Sequence, residues 1–512
     1  MTFSEDFCRH FWRDFFIPLG FYQLLAAQTP WPPAKTWFSE RQVSMILTGL
    51  VVGVVLGVVM QRGRFCVTGM IRDIFMQRSW RTFVALLIVI SIHAVGLAAL
   101  TSAGVISPDY NTFAPGAVVV GGFLFGLGII LAGGCASGTW YRSAEGLVGS
   151  WIALAMYALS AAMMKTGVLS GFNDWMKSWD TGLTTLPEAF GISAWWFAMA
   201  ISILTIILVR HFRAQNVKAP QVARLGNRPM WKRPLSLYTA GALVGLIGVL
   251  AWPLSAATGR NNGLGITTPT ANSLQYSVTG DNSYIDWGVM LVLGLLVGAF
   301  IAAKGTGEFR IRVPDATTAV RSVAGGLLMG VGASLAGGCT VGNGMVETSL
   351  FSFQGWVALV FIAVGIGVGA KFWLKPAKPA KTTKATSSAS PVPGNPAANF
   401  VGVQAVNMLS LDTMTQTRDL GDGYFALDSL GAVCPFPLLE AKDAMAELAS
   451  GQHLVIDFDC TQGTETIPQW AVDDGHEVTD FRETGEASWQ ITIQKGPAVK
   501  ASSARSSSSI SS

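Results

Sequence analysis

The residues best suited to chemistry in this 512-residue chain are its six cysteines, Cys8, Cys66, Cys135, Cys339, Cys434 and Cys460. They lie far apart and form no Cys-x-x-Cys pair, so neither a disulfide framework nor a zinc knuckle is expected, and no metal or cofactor. Two of them close the same phrase, because Leu-Ala-Gly-Gly-Cys ends at Cys135 and again at Cys339, each time behind an apolar stretch. Gly133-Gly134 and Gly337-Gly338 can unwind a helix end and expose backbone amides, leaving a small, polarizable, weakly polar thiol just beyond. The competing reading is packing alone, with paired glycines allowing close helix contact and cysteine filling space. Cys66 stands in QRGRFCVTGMIRD beside Arg62, Arg64 and Arg72. It reads either as a third thiol on an anion path or as a cysteine among arginines that only mark topology. Cys434 precedes Pro435-Phe436-Pro437, a helix start whose unsatisfied amides favour a thiolate, which makes it a candidate nucleophile or sulfur carrier. Cys460 follows the strand-like VIDFD and is open between a resolving thiol and a strand-end packing residue, and Cys8 has no assigned role.

The elements that position these thiols belong largely to a membrane. Half of the residues are hydrophobic and only 13% are charged, against roughly a quarter charged in ordinary soluble domains. Nine windows, near 43–61, 83–101, 116–134, 147–165, 193–210, 234–253, 287–304, 321–338 and 354–373, are apolar enough to span a bilayer, which takes about 17–25 residues. Basic residues concentrate in alternate loops, with five arginines in 62–82 and seven Lys and Arg in 210–233, whereas 102–115, 166–192 and 254–286 hold more acidic residues. That bias predicts an outside N-terminus and a cytoplasmic C-terminus. His93, inside the second window, reads either as a functional ionisable group or as a packing histidine.

An internal repeat overlies this topology. GGFLFGLGIILAGGCASG at 121–138 returns as GGLLMGVGASLAGGCTVG at 325–342, with the two cysteines 204 residues apart. The third and eighth spans then run in opposite directions, which predicts an inverted repeat of four helices, one linking helix and four more. Inverted repeats are a transport architecture whose pathway lies near the repeat interface. The stretch after Cys66's span and its repeat counterpart GRNNGLGITTPT are polar and rich in small residues, so both are expected to re-enter the membrane where protein surrounds them.

The remainder divides by composition into 1–42, an interfacial or mobile segment without the layout of a cleaved signal peptide, and the spans at 43–374. A flexible Pro/Ala/Ser/Thr linker follows at 375–399, then an acidic domain at 400–496 and a disordered tail at 497–512. The acidic domain carries sixteen acidic and four basic side chains, and nothing in the chain suggests nucleic acid. Its pattern reads as strand 424–430, helix 436–449, strand 453–459, helix 464–475 and two strands within 476–494, a small β-α-β-α-β-β sandwich.

Over about 43–373 the residues GRFCVTG, the twin LAGGC segments and the 69-residue step from Cys66 to Cys135 resemble the YeeE/YedE family of bacterial thiosulfate permeases, also called TsuA. The resemblance implies an hourglass of nine spans with short helices dipping in from both faces. It also implies that Cys66, Cys135 and Cys339 pass thiosulfate along by weak S–H hydrogen bonds. Over about 424–496, LDSLGAVCPFPLLEAKDAM and IPQWAVDDGHEV resemble the TusA/SirA/YeeD sulfur-carrier family, whose Cys-Pro-x-Pro thiol carries a persulfide and whose YeeD-type (TsuB) members partner the permease. The expectation is therefore an inner-membrane thiosulfate importer with a tethered cytoplasmic sulfurtransferase domain. Its partners are thiosulfate, membrane lipid, and a cytoplasmic acceptor protein or thiol, or the permease's own arginine-rich loops. Two alternatives are the same architecture moving another sulfur or selenium species, and a membrane-anchored sulfurtransferase without transport. An anchor needs one span where nine are present.

Overall fold

A computed structural model describes residues 40–76, 79–217, 233–314, 316–373, 417–432, 436–485 and 487–497. Its membrane part contains, in chain order, α1 (Glu40–Arg62), α2 (Val67–Met76), α3 (Phe83–Ser102), α4 (Pro115–Leu131), α5 (Ala136–Ala144) and α6 (Val148–Lys165). There follow α7 (Ser170–Lys177), α8 (Leu186–Phe190), α9 (Ala194–Val217), α10 (Leu237–Ala256), α11 (Thr267–Thr279), α12 (Trp287–Thr306), α13 (Ala316–Leu335) and α14 (Phe353–Trp373). Among the described residues nine helices are long and apolar enough to cross a membrane, one for each window read from the sequence. Their starts are set locally. Pro115 occupies the first turn of α4, Ser236 accepts the Thr239 amide at α10, and Asp286 accepts the Val289 amide at 2.8 Å at α12.

The packing follows the repeat. Helix α1 lies on α12 and α3 on α10, α4 lies on α14 and α6 on α13, and α4 and α13 lie on each other. Exchanging the first four spans for the last four turns the first contact into the second and the third into the fourth, and maps the α4–α13 contact onto itself. The fifth span, α9, packs against α3 outside this scheme. Glycines make the central contact possible. A Cβ on Gly121 would lie 2.7 Å from the Gly332 carbonyl oxygen and one on Gly332 2.7 Å from that of Gly121, with Gly128 and Gly325 reciprocal in the same way. Because Gly121 pairs with Gly332 and Gly128 with Gly325, the two copies run antiparallel, backbone against backbone, as small-residue helix interfaces in membranes do. Short helices α2 and α11 occupy corresponding places after α1 and α10, and both bury their opening residues, Val67 and Thr68 in one and Thr267 and Thr270 in the other.

The C-terminal domain is a five-stranded sheet, β1 (Arg418–Gly421), β2 (Tyr424–Ser429), β3 (His453–Phe458), β4 (Glu477–Gly485) and β5 (Ser488–Gln494), with helices α15 (Phe436–Glu447) and α16 (Gly463–Asp473). The strand order is β1-β2-β3-β5-β4. Strands β2 and β3 are parallel, joined through α15, and the other pairs are antiparallel. The sequence reading lacked β1, a four-residue edge strand with no buried face to give it an alternating pattern. It is held by a tight turn through Asp422, with Gly421 and Gly423 at positive φ. Alternating burial along β3 and β5 sends Leu454, Ile456, Phe458, Trp489, Ile491 and Ile493 into one core with Leu438, Ala441, Met445, Ile467 and Trp470 of the helices. The linker, the tail and the segment before Glu40 lie outside the described residues.

Candidate functional site

Both LAGGC segments leave their helix in the same way. Gly133 and Gly337 adopt positive φ, +72° and +77°, the left-handed conformation that lets a helix end within one residue. The chain then turns back at the cysteine. Cys135 is the residue before α5, in extended conformation, and its carbonyl accepts the Thr139 amide at 2.8 Å. Its side chain makes no capping hydrogen bond, and its sulfur lies 3.5 Å from the Ser137 hydroxyl. Cys66 repeats the arrangement ahead of α2, its carbonyl accepting the Met70 amide at 3.1 Å. In the second LAGGC copy Asn343 fixes the loop, with Nδ2 donating to the carbonyls of Ala336 and Gly338, each at 2.9 Å, and Oδ1 accepting from Gln354 at 3.0 Å. In the first copy Arg142 does the corresponding work by donating from Nη1 to the Gly133 carbonyl.

The three membrane thiols are free and buried, and they share one core. The sulfurs of Cys66 and Cys135 both face Gly138, where a Cβ would lie 3.7 and 3.3 Å from them. Cys339 is fully buried in the same cluster behind the other repeat copy. The Tyr157 hydroxyl donates to Thr267 at 2.7 Å and ties α6 to α11. Cys8 and Cys434 fall outside the described residues. Cys460 is half-buried beyond β3 and disulfide-bonded. His93 packs against the backbone of Gly248, where a Cβ would sit 2.7 Å from Nε2.

The arginines near Cys66 are neither solvated topology markers nor bare anion ligands. Arg62 and Arg64 are buried, 3.7 and 3.3 Å from Glu308, and Arg72 pairs with Asp73 at 3.1 Å. Gln61 donates from Nε2 to Glu308 at 2.7 Å and to Glu145 at 3.2 Å. Burial, with the Glu308 charge beside it, pushes the Glu145 carboxyl up to about 7. This cluster faces the C-terminal domain. Arg64 donates to Thr464, Arg142 Nη2 donates to Gln462 Oε1 at 2.8 Å, and Gln462 Nε2 donates to the Tyr141 hydroxyl at 3.3 Å. Arg312 lies 3.3 Å from Asp459, and the Ala487 amide donates to the Gly307 carbonyl at 3.2 Å. The loop from Asp459 to Glu465 is thus the main docking edge, with burial pushing the Glu465 carboxyl up. Between the domains lies a cavity of about 70 Å³ lined by Gly133, Arg142 and Arg312 on one side and Ala432, Phe436 and Cys460 on the other.

Sequence reasoning missed Gln61, Arg142, Glu145, Glu308, Arg312 and Gln462. Each is a single polar residue at the end of an apolar segment or in a loop, and the only available signal was that polar groups at such positions need partners.

The chain matches the family model described as "Sulphur transport" over residues 62–368 and the one described as "Sulfurtransferase TusA" over 426–495. It is 48% identical over 336 residues to the thiosulfate transporter TsuA of Escherichia coli strain K12, covering 65% of this chain and 95% of that protein. It is 32% identical over 335 residues to the thiosulfate transporter TsuA of Spirochaeta thermophila, covering 63% of this chain and 97% of that one. A further match, 61% identical over 69 residues, is to the candidate sulfur carrier protein TsuB of E. coli strain K12, covering 14% of this chain and 92% of that protein. With nine apolar helices, antiparallel copies of a glycine-rich span and a separate α/β sandwich behind them, the chain belongs to the sulphur-transport (YeeE/YedE) family and carries a TusA sulfurtransferase domain in the same polypeptide.

Proposed function

We propose that this protein imports thiosulfate across a bacterial inner membrane and passes its outer sulfur to the fused C-terminal domain. The N-terminus is outside and the C-terminal domain is cytoplasmic. Cys66, Cys135 and Cys339, with the glycine turns at 133–134 and 337–338, guide the anion. Neutral thiols suit this task because conduction needs binding weak enough for release, whereas a bare Lys or Arg at the constriction would hold a dianion. The observation that carries the reading is that the Cys66 and Cys135 thiols, each just before a short helix, face the same glycine, Gly138, in a chain so similar to thiosulfate transporters.

At the cytoplasmic end Cys434 accepts the sulfur. Its thiolate attacks the outer sulfur of thiosulfate, a new S–S bond forms to Cys434, the S–S bond within thiosulfate breaks, and sulfite leaves with the electron pair. The Cys434 persulfide then hands its sulfur to a cytoplasmic acceptor protein or thiol. Consumption matters energetically, since moving a dianion inward against the membrane potential costs about 4.6 kcal/mol per 100 mV at ~2.3 per charge. The tether keeps Cys434 near the exit at an effective concentration of order millimolar.

The test is growth on thiosulfate as sole sulfur source in a bacterial strain lacking other thiosulfate uptake. The wild-type chain should support growth and Cys434→Ala should not. Unchanged growth and thiosulfate consumption with Cys434→Ala would rule out the sulfur-transfer step.

A further inference from the structure

We propose that the cavity between the two domains is a binding chamber for a small sulfur oxodianion, thiosulfate on arrival and sulfite after transfer, with Arg312 and Arg142 as its cationic wall. The proposal rests on the transport and sulfur-transfer reading above and names where the anion is held between those two steps.

Size and position fit. The cavity measures about 70 Å³, and one water needs roughly 10–15 Å³ on that measure, so a single tetrahedral oxoanion has room. One wall includes Gly133, two residues before Cys135, and the opposite wall includes Ala432 and Phe436, which flank position 434 in sequence, together with Cys460. The chamber therefore touches the end of the thiol path and the neighbourhood of the sulfur acceptor at once.

Charge fits as well. Arg142, Arg312 and Arg321 line the cavity against the carboxylates of Glu145 and Asp459, three cations to two carboxylates. Arg142 is already committed to the Gly133 carbonyl and to Gln462, and Arg321 lies over the Phe436 ring at 6.0 Å. Arg312 has capacity to spare. Asp459 approaches its Nε at 3.3 Å, while its Nη2 is buried with no hydrogen-bond partner among the described residues. A buried donor left unmade is costly, and an oxyanion offers the acceptors that a guanidinium fork fits. The backbone presents this side chain rigidly, since the Arg312 amide donates to Gly146 at 2.9 Å and its carbonyl accepts from Val148 at 3.0 Å. Both domains build the chamber, so it exists only while they are docked.

The test is calorimetric titration of sulfite into the full-length protein in detergent at mildly alkaline pH, after the disulfide at Cys460 has been reduced with a phosphine and the phosphine removed, so that sulfite meets no disulfide to cleave. The wild type should bind sulfite saturably and thiosulfate should compete. Arg312→Gln should weaken binding about tenfold or more, and Arg312→Lys should fall between. Asp459→Asn removes the ion pair across the interface but leaves Arg312 in place, so it should retain or tighten binding. Absence of saturable sulfite binding by the wild type, or equal affinity in Arg312→Gln, would overturn the chamber. So would a loss in Asp459→Asn equal to that in Arg312→Gln, which would assign the effect to docking. Sulfite binding as expected, in a wild-type chain that releases no sulfite from thiosulfate, would support the chamber and reject the transfer step.

Discussion

The thiols of Cys66 and Cys135 face one glycine, Gly138, although 69 residues separate them, because each stands just before a short helix. On the proposed path two thiols facing one residue form a single element, so replacing either should remove the same step. In proteoliposomes bearing the full-length chain, Cys66→Ala and Cys135→Ala should each lower thiosulfate uptake about tenfold or more, and the double variant should be little worse than either. The non-additivity expected of neighbouring residues that share one step is about 1 kcal/mol or more. Strictly additive losses would mean that the two thiols act separately.

The glycine turns make a second, structural prediction. Gly133 and Gly337 both sit at positive φ, where a residue with a Cβ costs about 1–2 kcal/mol. At Gly337 a Cβ would also meet Gln354 Nε2 at 2.5 Å, and Gln354 is held by Asn343. Thermal unfolding in detergent should show both alanine variants destabilised. An unchanged midpoint for Gly337→Ala would contradict the turn geometry.

Glu145 predicts a pH dependence. Its carboxyl is raised from the usual 4.5 to about 7 by burial and by Glu308, opposed by Arg312 and Arg142 and by the Gln61 hydrogen bond. A raised carboxyl binds its proton more tightly in the folded protein, so its contribution is present below about 4.5 and is lost as pH rises through about 7. Between those values stability should fall by an amount of order 1–3 kcal/mol, and Glu145→Gln should flatten that part of the profile. A wild-type profile that rises across the window, or one that Glu145→Gln leaves unchanged, would contradict the assignment.

Much of the membrane fold was legible because its signals are long or repeated. Nine apolar runs mark the spans, and the twin GG…GLG…LAGGC phrases mark spans three and eight as copies, since only glycine admits the Gly121–Gly332 and Gly128–Gly325 approaches. The sandwich was legible from alternating runs such as His453–Phe458, while the edge strand Arg418–Gly421 lacked a buried face to mark it. The interface was not legible. Gln61, Arg142, Glu145, Glu308 and Gln462 come from segments far apart in the chain, and no spacing relates them. Their partnership appears only when helix ends and the Asp459–Glu465 loop are brought together. The same holds for Arg62 and Arg64, whose role as partners of Glu308 depends on a residue nearly 250 positions away.

The central claim is that thiosulfate crosses this protein along its thiols. The most direct measurement is uptake of radiolabelled thiosulfate into proteoliposomes containing the full-length chain, comparing wild type with Cys339→Ala. Cys339 lies in the second repeat copy, whereas Cys135 lies in the first, so its effect reports on the path as a whole. The account predicts saturable uptake by the wild type and its collapse in Cys339→Ala; a wild type without uptake, or equal uptake in Cys339→Ala, would contradict it.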